Sequence, residues 1–172
     1  NQNVWIDYMN KRLASAHPNV KVVATAYGLD KPEESTTETQ GLIQKYPNIK
    51  AIVAPTSVGI VAAAKYVSGS SSKGKVFVTG LGLPNDMKTY IKDGSGAQAS
   101  LWDVENFGYV AVQMANSIVN KKQSVKVGKK IKSGKGDHGL KKRVVIKGAV
   151  GNEVILGPAT VFTADNVDNY DF

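Results

Sequence analysis

The residues of this chain that could do chemistry are few, and they are badly spaced for catalysis. Its 172 residues contain two histidines and no cysteine. That composition excludes disulfides, thiolate metal ligands and a cysteine nucleophile. His17 sits in a helix-ending turn, and His138 lies beside Asp137 in a basic stretch. Neither has an acid or a second histidine at ligand spacing, so no metal site is expected, and Asp137-His138 reads as a solvated pair. Ser70-Ser71-Ser72 lacks the Gly-x-Ser-x-Gly frame of a nucleophile elbow and reads as a turn. Gly80-Leu81-Gly82 stands where a dinucleotide loop would stand, but Asn85 occupies the third glycine position, Pro84 intervenes, and there is no Walker lysine. Its small residues instead suit a tight turn with room for a ligand or a neighbouring backbone. An enzyme is therefore not expected, and no cofactor is implied.

A second group of residues is better placed. Asn1, Gln2 and Asn3, then Tyr27, Thr56 and Ser57, and finally Trp102 and Asp103 all fall at the carboxyl ends of extended runs or at helix starts. Amides and hydroxyls offer paired donors and acceptors that match sugar hydroxyls. An aromatic face such as that of Trp102 packs against the C–H face of a sugar ring. Each residue alone also serves as a cap or a turn residue, and Trp102 as a core aromatic. Gathered at one edge with no acid–base pair, they point to binding rather than catalysis.

The elements that must position them alternate along the chain. Apolar runs 21–26, 50–54, 75–79 and 97–101 are each followed by turn residues and a helical pattern. This order predicts an α/β fold, a three-layer Rossmann-like parallel sheet with helices on both faces and ligands at the carboxyl strand ends. Helices are expected at 2–16, with Asn1 or Asn3 as cap, and at 32–46, 57–68, 85–92 and 104–120. Strands are expected at 20–26, 49–54, 75–79 and 97–101, then at 142–147, 154–156 and 160–162. Pro32 followed by Glu33 and Glu34 marks a helix start, with proline preset for the first turn and acids on the positive dipole end. His17-Pro18-Asn19 and Tyr46-Pro47-Asn48 predict two equivalent helix-ending turns. Asp165 is the expected cap of a final helical turn.

The net charge of +8 is local. Residues 121–147 hold eleven of the 22 Lys and Arg but one of the 14 acids. No aromatic falls between 110 and 161, so no stacking platform accompanies this charge, and nucleic acid is not expected as a partner. No apolar run approaches the roughly 20 residues of a membrane span.

Several stretches together resemble a known family. They are Asn1-Gln2-Asn3-x-Trp5, Ala54-Pro55-Thr56-x-Val58-Gly59-Ile60 with Ala62-Ala63-Ala64, and Gly80-Leu81-Gly82-Leu83-Pro84 with Met87. Leu101-Trp102 and the ending from Leu156-Gly157-Pro158 through Phe162 and Asp165-Asn166-Val167 to Tyr170-Asp171-Phe172 complete them. The chain resembles the carboxyl-terminal part of a type I periplasmic sugar-binding protein of an ABC importer. Within that group it is similar to rhamnose-binding proteins and Lsr-type autoinducer-2 receptors. The resemblance implies a periplasmic-binding-protein-like type I lobe over 1–102. A crossing helix and basic connector over 103–141 would belong to a first lobe that is mostly outside this sequence, and 142–172 would form return strands and tail. It implies that Asn1, Gln2, Pro55, Ser57 and Trp102 line a cleft between two lobes, with Thr56 adjacent. The ligand would be a monosaccharide such as rhamnose or an autoinducer-2-like molecule, the partner an ABC permease, and the location periplasmic or extracellular, although the sequence carries no signal peptide. The autoinducer-2 receptors resemble Asp-Gln and Pro-Asp-Ala where this chain has Asn1-Gln2 and Pro55-Thr56-Ser57, and loss of that carboxylate favours rhamnose. Gly82 replaces the Asp of ribose-type relatives. Without its first lobe, helix 104–119 should present an uncovered apolar face of Phe107, Ala111, Met114 and Ile118, to be covered by a second copy or a domain swap. The effector lobe of a sugar-responsive repressor shares the fold and is the alternative of another class, but the ending Tyr170-Asp171-Phe172 favours the transport protein.

Overall fold

The structure, a computed structural model, describes residues 2–102, 104–120, 125–131, 143–148 and 151–172. Asn1, Asp103, Asp137, His138 and most of the basic connector therefore lie outside the described residues. The described chain forms two compact units, one of residues 1–101 with 161–172 and one of residues 102–160.

In the first unit, α1 (Asn3–Ala16) is followed by α2 (Pro32–Lys45), β1 (Ala51–Ala54), α3 (Ser57–Ser68), β2 (Phe77–Leu81), α4 (Pro84–Lys92) and β3 (Gly96–Leu101). The strands run parallel in the order β1-β2-β3, and β7 (Thr160–Phe162) lies beside β3. The βα alternation thus produces the parallel sheet that the sequence predicts. α3 and α4 pack on the sheet, and α2 packs on α3. Ile52 and Val78 face these helices, and the core joins them to Ile60, Val67, Met87, Ile91, Ala99, Phe162 and Val167. The opposite parity, Val53 and Phe77, remains half-exposed.

Local signals set the helix ends. Pro32 and Pro84 occupy the first turns of α2 and α4, where a missing N–H costs nothing. Thr56 caps α3 by accepting a hydrogen bond from the Gly59 N–H at 2.8 Å. The two helix-ending turns are alike: His17 and Tyr46 each donate an N–H to the carbonyl four residues back, and their own carbonyls accept from Val20 and Ile49. Helix α4 closes on Asp93, with Gly94 in the left-handed region at φ 81°. The carboxylate of Asp93 accepts from Ser68, from the Ser95 N–H and hydroxyl, and from Lys73, tying α3 to the turn after α4. The tail closes the unit. Phe162, Tyr170 and Phe172 stack edge-to-face at centroid separations of 4.8 to 6.2 Å, and the Asn85 amide donates to Asp171.

Several expectations are corrected. Residues 20–26 are not a strand of the sheet. Val20, Val22 and Val23 are exposed, and a β-strand exists only where a neighbour completes its ladder. Gly80 and Leu81 belong to β2 rather than to a loop, because Gly80 pairs between Ala54 and Ala99. Gln2 precedes α1 as its N-cap without a side-chain bond, and Asn3 is already helical. The final turn is a 3-10 helix at Val167–Asn169 with Asn166, not Asp165, at its N-cap position and no side-chain cap bond. The Asn166 side chain accepts from the Thr163 N–H and donates to the Val161 carbonyl.

The second unit contains α5 (Val104–Val119) and an antiparallel sheet of β4 (Lys130–Ile131), β5 (Arg143–Lys147) and β6 (Asn152–Val154). β4 is unanticipated, and β6 begins two residues before the expected strand because Asn152, Glu153 and Val154 pair with Lys147, Ile146 and Val145. Val110 and Met114 of α5 pack with Val145, Val125, Val154 and Leu156. Met114, expected on an uncovered face, is thus buried against this sheet, whereas Phe107, Ala111 and Ile118 are exposed as expected.

Candidate functional site

The carboxyl end of β1 is the most closely built part of the predicted site. Ala54 ends the strand, Pro55 leaves the sheet, and Thr56 and Ser57 open α3. All of Pro55, Thr56 and Ser57 are partly exposed. The first turn of α3 carries no acid, so the helix presents its positive end and unpaired N–H groups there without a competing carboxylate. The Thr56 hydroxyl is committed as an acceptor to Gly59 but keeps its own proton to donate. The Ser57 hydroxyl stands one residue further on. The junction thus offers two hydroxyls beside the N–H groups of a helix start.

Neighbouring strands brace this junction. Gly80 lies beside Ala54, and the Ser100 hydroxyl donates to the Gly80 carbonyl at 3.4 Å. Gly82 donates its N–H to the Ser100 carbonyl at 3.2 Å. A Cβ on Gly82 would come within 2.9 Å of both Ile60 and Met87, so that glycine serves core packing under the loop. The turn after residues 20–26 is also pressed into place. Gly28 has its Cα so close to Ser35 that a Cβ would meet the Ser35 Cα at 2.8 Å, and Leu29 and Asp30 follow with φ of 52° and 57°. Tyr27 stands exposed just before that turn.

The other predicted site residues have separate settings. Gln2 stands at the N-cap of α1, its carbonyl accepting from the Trp5 and Ile6 N–H groups, and no residue of α1 is buried. Trp102 belongs to the second unit, where its indole N–H donates to the Gly157 carbonyl at 2.7 Å and the side chain is half-buried. Asn1 lies outside the described residues. The structure thus brings Pro55, Thr56 and Ser57 together. Sequence reading passed over Ser100, whose hydroxyl bonds to Gly80 on the neighbouring strand and so leaves no local signal.

Two open grooves, of about 360 and 300 Å³, flank α2. The first is lined by Thr36, Ala62, Lys65, Tyr66, Gly69 and Ser70, the second by residues 24–26 and the face of α2 from Glu38 to Tyr46. Neither is lined by a predicted site residue. Among the described residues no group of His, Asp and Glu could hold a metal ion, and no helix is long and apolar enough to cross a membrane.

Residues 1–123 match the periplasmic binding protein domain family. A sugar ABC transporter protein from Actinomyces odontolyticus is 41% identical over 99% of this chain and 53% of its own, with a TM-score of 0.82. An ABC transporter solute-binding protein from Clostridium phytofermentas, solved with bound L-rhamnose, is 32% identical over 98% of this chain and 54% of its own, with a TM-score of 0.84. LsrB from Clostridium saccharobutylicum, solved with autoinducer-2, is 29% identical over 99% of this chain and 55% of its own, with a TM-score of 0.79. The chain spans about half the length of each of these proteins.

Proposed function

This chain belongs to the periplasmic binding protein domain family, and on that premise we propose that it is the carboxyl-terminal, ligand-contacting part of a sugar-binding protein that serves an ABC importer. It binds without catalysing, in the periplasm or outside the cell, and hands its ligand to a permease. The observation that carries this reading is the 32% identity, over 98% of the chain, with a protein solved with L-rhamnose. The wall of Pro55, Thr56 and Ser57 supports it, because hydroxyls and helix N–H groups suit a neutral sugar.

The ligand we propose is a deoxyhexose such as L-rhamnose. Asn1, Gln2, Pro55, Ser57 and Trp102 contact it, with Thr56 alongside. A second reading, autoinducer-2, is favoured by the 29% identity with LsrB. The amide at Asn1, where those receptors resemble Asp, places it second. An amino-terminal lobe completes the cleft and closes over the sugar. That lobe, or a second copy of the chain, covers the exposed face of α5, where Phe107, Val112, Ile118 and Val119 meet solvent.

Calorimetric titration with L-rhamnose and, separately, with autoinducer-2 tests the proposal. Saturable heat with rhamnose that is lost in Trp102→Ala supports it. Binding of autoinducer-2 alone moves the chain to the second reading. Absence of heat with both, from folded protein that includes the amino-terminal lobe, overturns the sugar reading.

A further inference from the structure

Gly80 is a glycine inside a parallel strand, a position where glycine weakens the strand unless another backbone must come close. Here one does. Its φ is 145°, and a Cβ built on it would overlap the Ala54 carbonyl oxygen and lie 2.6 Å from the Ala54 carbonyl carbon and 3.0 Å from its nitrogen. These are backbone atoms, so no rotamer change could relieve the overlap. Gly74 and Gly94 also have positive φ, at 75° and 81°, but nothing lies within 4 Å of a Cβ at either. Gly80 therefore combines the strained conformation with a close approach that those two lack.

Ala54 is the last residue before Pro55, Thr56 and Ser57. Downstream, that segment is pinned by the Gly59 N–H on Thr56. Gly59 is itself tight, since a Cβ there would stand 2.8 Å from the Thr56 hydroxyl oxygen. The segment is thus held at its far end by a cap and at its near end by contact with Gly80, which the Ser100 hydroxyl holds by its carbonyl. Proline between the two leaves few torsions to absorb a shift of Ala54.

We propose that Gly80 is a positioning residue for ligand recognition: its bare Cα sets the Ala54 carbonyl, and through it the direction of the Pro55–Ser57 wall. This inference rests on the sugar-binding reading above. A methyl at position 80 displaces Ala54 and misdirects hydroxyls that it never touches, so affinity falls more than stability alone would require.

The experiment compares Gly80→Ala with Gly94→Ala by amide NMR spectra, thermal midpoint and L-rhamnose titration. Both variants force an L residue into positive φ, so both lower the midpoint. Gly80→Ala alone is expected to shift the amide resonances of Ala54 and of Thr56 to Gly59, to speed exchange of the Gly59 N–H, and to weaken rhamnose binding at least ten-fold at a temperature where both variants are folded. Ser100→Ala, which removes the hydroxyl on the Gly80 carbonyl, is expected to shift the same amides less; it decides the matter by the same readouts should Gly80→Ala not fold. Unshifted Ala54–Gly59 resonances in the folded variant, or an affinity loss equal to that of Gly94→Ala, would overturn the proposal. Should the unaltered protein bind no rhamnose, the sugar reading fails while the amide shifts still decide whether Gly80 positions the wall.

Discussion

Helices α3 and α5 draw on similar apolar residues, yet they are buried differently. α3 buries Ile60, Ala63, Ala64 and Val67 on one side and Ala62 on another, because the sheet lies along one flank and α2 along the next. α5 buries Val110 and Met114 against Val145, while Val104, Phe107, Val112, Ile118 and Val119 stay exposed. Phe107 is 61% exposed and Val112 67%. The difference teaches that apolar content marks a helix for burial but does not supply the neighbour. A contiguous apolar half-surface on a helix is the usual mark of an interaction site.

The comparison can be broken or sharpened by substitution. The largest effect belongs to Ile60→Ala, which empties a fully buried position in α3. It should cost about 2–5 kcal/mol in urea unfolding, because the transfer and cavity terms add. A value under 1 kcal/mol would mean that the first unit is packed no better than the second.

Next comes Asp93→Asn, in the turn after α4, whose carboxylate accepts from Ser68 at the far end of α3. Burial raises the pKa of this carboxyl, but the hydrogen bonds from Ser68, Ser95 and Lys73 outweigh it and hold it well below the usual carboxylate range. At neutral pH the substitution should cost about 1–3 kcal/mol, the scale of hydrogen bonds to a charged group. The folded pKa is depressed, so this stability is fully present above the unfolded value of about 4 and is lost as pH falls through the folded one. The gap between the two proteins should therefore narrow below about pH 4. A gap independent of pH between 7 and 3 would assign the effect to packing.

Thr56→Ala removes the α3 cap and should cost about 1 kcal/mol. Thr56→Ser keeps the cap and the hydroxyl, so rhamnose affinity lost in Thr56→Ala but retained in Thr56→Ser would assign the loss to the hydroxyl, as cap or as ligand contact. The smallest effect is expected on α5. In the monomeric chain, where nothing covers this face, Phe107→Ser should change unfolding free energy by no more than about 0.5 kcal/mol, as for a surface site, while reducing the fluorescence of an apolar dye. A loss of several kcal/mol would mean that this face is covered in solution.

Legibility followed the range of the interaction. Helix ends were readable because their causes lie within four residues: Pro32 and Pro84 at first turns, Thr56 as cap, and the paired Pro-Asn turns after His17 and Tyr46. Residues 20–26 were misread because Val22 and Val23 have strand propensity, whereas a strand needs a partner that sequence does not reveal. Gly80 was misread because glycine usually breaks strands, and only the proximity of Ala54 explains why it stays in one. Within the candidate site, Pro55, Thr56 and Ser57 were legible as turn and cap residues. Ser100 was not, because its role depends on a neighbour twenty residues away in sequence.

The sequence by itself determined the α/β order, the absence of cysteine chemistry, the helix boundaries and the polar composition of the β1–α3 junction. Those properties come from local torsions, caps and hydrogen-bonding capacity, which each short segment carries with it. Only the tertiary structure decided which strand edges are paired, which half of α5 is buried, and that the Cα of Gly80 must be bare. Those depend on which distant atoms come within a few ångströms, and close packing makes that distinction steep.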